Sequence, residues 1–241
     1  MSTGAGVRPY GNNYQHLEDE LRWLDLLIQL KCRTLPLQNQ TSAETQVVRA
    51  SYITPADVEW LLEKNVTADT GDAEAEGLRA APHRLRAEID HRVARSLQEG
   101  VFLALPHLYH LFCLSAFERQ ALLICLASEL RRKYDRLYAY LQDDMTRQRP
   151  SVDLVLDMLC DTESERWSAR AFLSDSATLL RAGLLGKTID SQSPSGSTGL
   201  SQFLKLDTRI CEFLWGSDKM DARLLGQAHI FRPAGEAIKS P

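Results

Sequence analysis

From about Pro82 to Leu185 the chain keeps a helical rhythm for about a hundred residues, and the breaks in that rhythm are helix starts. "SAFE" places Ser115 three before Glu118, and "TESE" places Thr162 three before Glu165. Both are capping-box spacings, in which each side chain satisfies a backbone donor left free at the helix end. Pro106 and Pro150 mark further boundaries, the second leading into "SVDLVLDMLC". A chain patterned in this way is mainly α.

Upstream, "YQHLEDELRWLDLLIQLKC" repeats Leu17, Leu21, Leu24 and Ile28 at three- and four-residue spacing, an amphipathic helix that Asn12 or Asn13 can cap. Glu18 and Arg22 form a favourable i,i+4 pair on its exposed side, while Trp23, Leu27 and Leu30 widen the apolar face so that it needs a partner. "TPADVEWLLEK", with Thr54 as cap and Pro55 at the first helical position, predicts a short second helix. Residues 66–80, "VTADTGDAEAEGLRA", are rich in acids and small residues and read as a flexible linker. After Leu185 the pattern changes: "LLGKTI" and "QFLKLDT" alternate in part and are joined by the Ser/Gly/Pro stretch "DSQSPSGSTGLS", which predicts a hairpin with a loose tip. "RICEFLWG" then resumes helical spacing, and Gly216 can end it. The expected division is 1–65 amphipathic helices, 66–80 linker, 81–225 a helical domain carrying the hairpin, and 226–241 a tail. Residues 66–80 and 191–200 should be the first sites of proteolysis, having too little apolar surface to offset the entropy of ordering.

Composition narrows the class of function. A net charge of −4 over 241 residues gives no global attraction for nucleic acid or anionic membrane. Five cysteines, widely spaced and without a C-x-x-C pair, read as reduced thiols in a cytoplasmic protein. The N-terminus has no apolar signal region, and the most hydrophobic stretch, 108–127, is interrupted by Glu118, Arg119 and Gln120, so no membrane span is expected.

Several short strings invite a chemical reading. Gly186-Lys187-Thr188 ends like a phosphate-binding loop, but G-x-x-x-x-G-K-[ST] would need its first glycine at position 181, which is Arg181, and the stretch before it is helical. Lys187 and Thr188 are therefore expected as outward positions on a hairpin strand. His107, His110 and Cys113 stand three apart, as metal ligands can, but no fourth ligand is near and a packed helix face explains them better. Asp143 and Asp144 are adjacent, point in different directions on a helix, and read as a solvated turn. No nucleophile–base constellation stands in a recognisable context, so catalytic residues, cofactor and metal are all expected to be none. In "ELRRKYDRLYAYLQDD", Tyr134 and Tyr138 with Arg131, Arg132 and Arg136 have the composition of a protein-binding hot spot, but an i,i+4 aromatic pair is also how a helix presents its core face, and that reading is favoured.

The order of a helix, a capped second helix, a third helical segment opened by Pro-Ser and a two-stranded hairpin is that of a winged-helix domain. "LSAFERQALLICLASELRRKYDRLYAYLQDDMTRQRPSVDLVLDMLC", then "LLRAGLL" and "LKLDTRICEFLWG", resemble the winged-helix-variant region that precedes the ATPase module in a bacterial AAA+ ATPase family, including members encoded with extracellular contractile injection systems. "YGNNYQHLEDELRWLDLLIQL" is similar to that family's first helix, and the resemblance spans most of residues 10–221. It implies a mainly α fold, a helical N-terminal segment plus a winged-helix-like domain with a short two-stranded wing. It also implies a non-catalytic adaptor whose partners are proteins, an ATPase module or injection-system components among them. The family's Walker motifs lie beyond a segment like "DARLLG"; only sixteen residues follow Leu225 here, so its ATP hydrolysis transfers to no residue of this sequence. The chain is then either the N-terminal part of a longer ATPase or a stand-alone relative without the motor. The alternative is a winged-helix DNA-binding regulator. Against sequence-specific DNA reading, the best candidate recognition helix, "SVDLVLDMLC", carries Asp153 and Asp157 and no basic or amide side chain, leaving Arg147, Arg149, Lys187 and Lys205 around it.

Overall fold

The computed structural model describes residues 8–34, 62, 72–188, 199–217, 219, 221 and 223. Helix α1 (Asn13–Thr34) opens the fold. Asn12 is its cap: Oδ1 accepts the N–H of Gln15 at 3.0 Å, and the Gln15 side-chain oxygen accepts the N–H of Gly11 at 2.8 Å. Leu17, Leu21, Trp23, Leu24 and Ile28 are all buried, as their spacing requires.

Much of the cover for this face comes from α2 (Asp72–Gln98), which packs along α1. Residues 72–80 of the expected linker are therefore helical, a correction with a clear cause. Ala and Glu are among the strongest helix formers, so "DAEAEGLRAA" needs few large apolar side chains to continue a helix once buried Leu78 and Ile89 anchor it. Pro82 sits inside α2, where sequence reasoning placed a boundary. Residues 66–71, most of the expected helix at 54–64 and the hairpin tip at 191–198 lie outside the described residues; Leu62 alone of that helix is described, and it is buried.

Five helices follow: α3 (Ala104–Leu111), α4 (Ala116–Leu130), α5 (Lys133–Leu141), α6 (Val152–Leu159) and α7 (Glu163–Ala169). A 3₁₀ turn at Arg170–Leu173 and the single-turn α8 (Thr178–Arg181) complete the run. Every residue from Ala121 to Ala127 in α4 is buried. A helix apolar all round must be surrounded, and α4 packs against α1, α5, α6 and the hairpin. The resulting core is continuous from Leu17 in α1 to Leu214 near the end of the described chain, so α1 packs into it and not as a separate unit.

Both capping boxes form. Glu118 Oε2 accepts the N–H of Ser115 at 2.8 Å and Ser115 Oγ accepts that of Glu118 at 3.4 Å; Thr162 and Glu165 reciprocate at 3.2 Å each way. Because α4 is central, Ser115→Ala is expected to destabilise the chain by about 1 kcal/mol, within the 0.5–2 range of cap removals. A denaturant midpoint unchanged from wild type would show that this cap is dispensable.

Strand β1 (Leu185–Thr188) pairs antiparallel with β2 (Phe203–Leu206), Leu185 opposite Leu206 and Thr188 opposite Phe203. Gly183, at φ 68°, makes the turn from α8 into β1, a conformation costly for other residues. A third rung joins the hairpin: Leu204 N–H donates to Pro150 O at 2.8 Å, Val152 N–H to Gln202 O at 2.9 Å, and Ser151 bridges Phe203. This short extended segment pins the start of α6 to the wing. Helix α9 (Thr208–Leu214) ends as expected at Gly216, φ 88°, where Ser217 N–H reaches Glu212 O and Gly216 N–H reaches Phe213 O, each at 2.9 Å.

Candidate protein-interaction surface

The two tyrosines of the Tyr/Arg run on α5 face the core. Tyr134 and Tyr138 are fully buried, their rings 6.0 Å apart. The Tyr134 hydroxyl donates to Asp25 Oδ1 at 2.9 Å, and the Tyr138 hydroxyl donates to Ile124 O at 2.7 Å. Arg131 pairs with Glu18 of α1, and Lys133 with Asp25 at 2.7 Å. These residues join α5 to α1 and α4; of the expected hot-spot residues only Arg132 and Arg136 are exposed. Glu18 is thereby taken from the expected Arg22 pair, and Arg22 binds Asp19 at 3.2 Å instead.

The densest titratable cluster lies between α1 and α2. Arg86 donates to both oxygens of Glu20, at 3.0 and 2.7 Å, with its guanidinium 4.4 Å over the Trp23 ring. Burial pushes the Glu20 carboxyl up, but the two Arg86 hydrogen bonds, the Arg86 charge and the adjoining His16 outweigh it and hold the group at about 2. His16 is completely buried, its Nε2 3.2 Å from Glu20 Oε1 without hydrogen-bond geometry. Six residues further along α2 Arg92 pairs with Asp19 and stacks 3.9 Å over Tyr10, whose backbone N–H donates to Ser96 Oγ at 2.8 Å. Burial, above all, raises the Tyr10 hydroxyl. This arrangement joins two helices; the opposed charges face each other across the interface.

The other sequence candidates separate in space. Thr188 is exposed as expected, on a strand that follows the short α8, whereas Lys187 lies on the strand face of buried Leu185, its side chain only 19% exposed and paired with Asp175 at 2.7 Å. His107 packs between Phe102 at 5.4 Å and Phe213 at 6.2 Å, while Cys113 is an exposed residue at φ 52° beyond the end of α3. Among the described residues no three His, Cys, Asp or Glu side chains stand where they could share a metal ion. Asp144 accepts from the Thr146 hydroxyl and N–H, which lower its carboxyl, in an exposed turn. All five cysteines are free thiols, and burial pushes Cys32 up to about 12.

What the sequence did not single out is the face around α7. An open groove of about 310 Å³ runs between the start of α4 and α7, with Phe117 stacked on Phe172 at 5.4 Å and Leu159, Cys160 and Ala169 completing its apolar lining. Trp167, on the same helix, is 75% exposed, and Arg170 lies 5.2 Å over its ring. Arg166 gathers Asp153 at 2.8 Å, Asp157, and Glu163 at 3.6 Å. A lone Trp in a polar helix, "ESERWSA", was the available signal, because an aromatic without apolar neighbours at helical spacing has no core face to join.

The helix read as the recognition candidate, α6, is a core element: Val152, Leu154, Val155, Leu156 and Met158 are buried. The element directly before the wing is α8, one turn long. Searches of curated proteins and of solved structures return no match. Among the described residues no helix is long and apolar enough to cross a membrane. The family described as "winged helix domain, variant" matches residues 2–228, nearly the whole chain and every element of the helical core and hairpin; the protein belongs to that winged-helix-variant family.

Proposed function

We propose that this chain is a non-catalytic adaptor, the winged-helix-containing N-terminal region of an AAA+ ATPase that recruits or positions protein partners for the motor, with contractile injection systems as one setting. The observation that carries the reading is where most of the cations near α6 and the wing go, Lys205 of β2 being exposed. Lys187 of the wing is tied to Asp175, and Arg166 beside α6 is tied to three carboxylates. Arg149 faces Glu129 at 3.8 Å and Arg147 faces Asp144 at 3.6 Å. A winged helix that reads DNA instead directs such groups at phosphates and base edges. Large apolar side chains are meanwhile displayed, Leu111 at 62% exposed and Phe102 and Trp215 at 57% each, the character of a protein-contacting surface.

Two titrations on the purified chain test this. Magnesium-ATP is expected to show no saturable binding, and random and genomic duplexes only weak binding that vanishes with added salt. Micromolar ATP affinity abolished by Lys187→Ala, or nanomolar sequence-specific duplex binding, would overturn the reading in favour of a nucleotide enzyme or a DNA-binding regulator.

A further inference from the structure

Residues 153–175 hold six carboxylates and two arginines, an excess of four negative charges that Lys187 and Lys31, paired with Asp175 and Asp161, offset only in part. This stretch forms one wall of the α4–α7 groove. We propose that the groove is the seat of a basic segment of a partner protein, an apolar side chain resting on the stacked Phe117–Phe172 pair and flanking Lys or Arg side chains meeting Asp161 and Glu163. The inference rests on the protein-interaction reading and names the class of partner.

Each part of the occupant follows from the groove. Its lining is aromatic and aliphatic, from Phe117, Phe172, Leu159 and Ala169, and about 310 Å³ accommodates one large aliphatic or aromatic side chain. Glu165, although it borders the groove, is committed to the backbone N–H groups of Asp161 and Thr162 at 2.8 and 3.2 Å, so it shapes the rim. The carboxylates of Asp161 and Glu163 are 91% and 93% exposed. Their present partners reach them only at 3.3 Å from Lys31 and 3.6 Å from Arg166, and Arg166 is shared with two further acids. A cationic partner therefore adds to an undercompensated acidic edge, whereas a phosphate backbone or an anionic bilayer meets repulsion. Apolar anchor at the centre and charge at the rim is the usual anatomy of a protein-binding site.

The test is a fluorescence-anisotropy titration of the full chain with a labelled amphipathic peptide of leucine and lysine, and with its counterpart carrying glutamate for lysine. The lysine peptide is expected to bind with a dissociation constant on the order of 10 μM at low salt, and Glu163→Lys and Phe172→Ser each to weaken it about tenfold. Glu163 is so exposed that its reversal leaves the fold intact, checked by an unchanged thermal midpoint; that variant stands even if the Phe172 change disturbs packing. The glutamate peptide is expected not to bind. No binding of the lysine peptide up to millimolar concentration, equal binding of the glutamate peptide, or insensitivity to Glu163→Lys overturns the proposal. Because the adaptor reading is decided by the ATP and duplex titrations on the same preparation, those outcomes would remove this site and leave that reading standing.

Discussion

Replacing Tyr138 by alanine is expected to lower the unfolding free energy by about 3–5 kcal/mol, the range for emptying a large aromatic from a core. The ring is wholly buried beside Tyr134, and its hydroxyl satisfies the backbone carbonyl of Ile124 inside α4. Truncation thus leaves a cavity at the α4–α5 contact and removes the second hydrogen bond to a carbonyl inside α4. Tyr138→Phe keeps the volume and removes only the donor, so its expected cost is smaller, about 1 kcal/mol. Arg132→Ala, on the same segment but exposed, should fall within about 0.5 kcal/mol of wild type. Urea unfolding of the three variants checks the order. A Tyr138→Ala chain as stable as wild type would mean that the run is a surface patch.

The second large effect lies at the α1–α2 interface. Arg86→Met is expected to cost about 3–5 kcal/mol, because it strands the Glu20 carboxylate in a buried site after removing its bidentate partner. The pH dependence carries the sign. Glu20 is held at about 2 in the folded chain, below the ordinary range of a glutamate. The unfolded chain therefore binds the proton more readily, and the Glu20 contribution is fully present above about pH 5 and is lost as pH falls toward 2. In Arg86→Met the main opposing charge is gone and burial favours the neutral acid, so lowering the pH from 7 to 5 should recover part of the lost stability. The double variant Arg86→Met, Glu20→Leu should be more stable than Arg86→Met alone, since replacing both charges leaves none unpaired. Stability curves at pH 5 and 7 that run parallel for wild type and Arg86→Met would show that Glu20 is not the group left stranded.

Much of the fold is legible without coordinates because its signals are local. The capping boxes at Ser115 and Thr162, the cap at Asn12 and the left-handed exit at Gly216 each concern backbone groups within a few residues, and each forms. Spacing likewise determines which residues of α1 are buried. Local reasoning fails where two segments distant in sequence compete for one side chain. Glu18 belongs to Arg131, 113 residues away, and not to Arg22. Residues 72–80 look like linker until the rest of α2 is packed on α1, because an Ala/Glu-rich stretch takes its state from what it adjoins. The two faces of one composition are clearest at the tyrosines: Tyr134 and Tyr138 at i,i+4 suit a hot spot or a core, and only α1 and α4 closing over them decides for the core. The groove is the converse. Its acidic residues and its Trp are visible in the sequence, but Phe117 and Phe172 are 55 positions apart and become one apolar floor only when α4 and the 3₁₀ turn meet. By itself, then, the sequence determined where helices start and stop and which faces are apolar, since these follow from backbone periodicity and short-range hydrogen bonds. Which apolar faces meet, which charges pair and which aromatics remain outside was decided by the tertiary structure, because burial and ion pairing depend on distances in space that spacing along the chain does not encode.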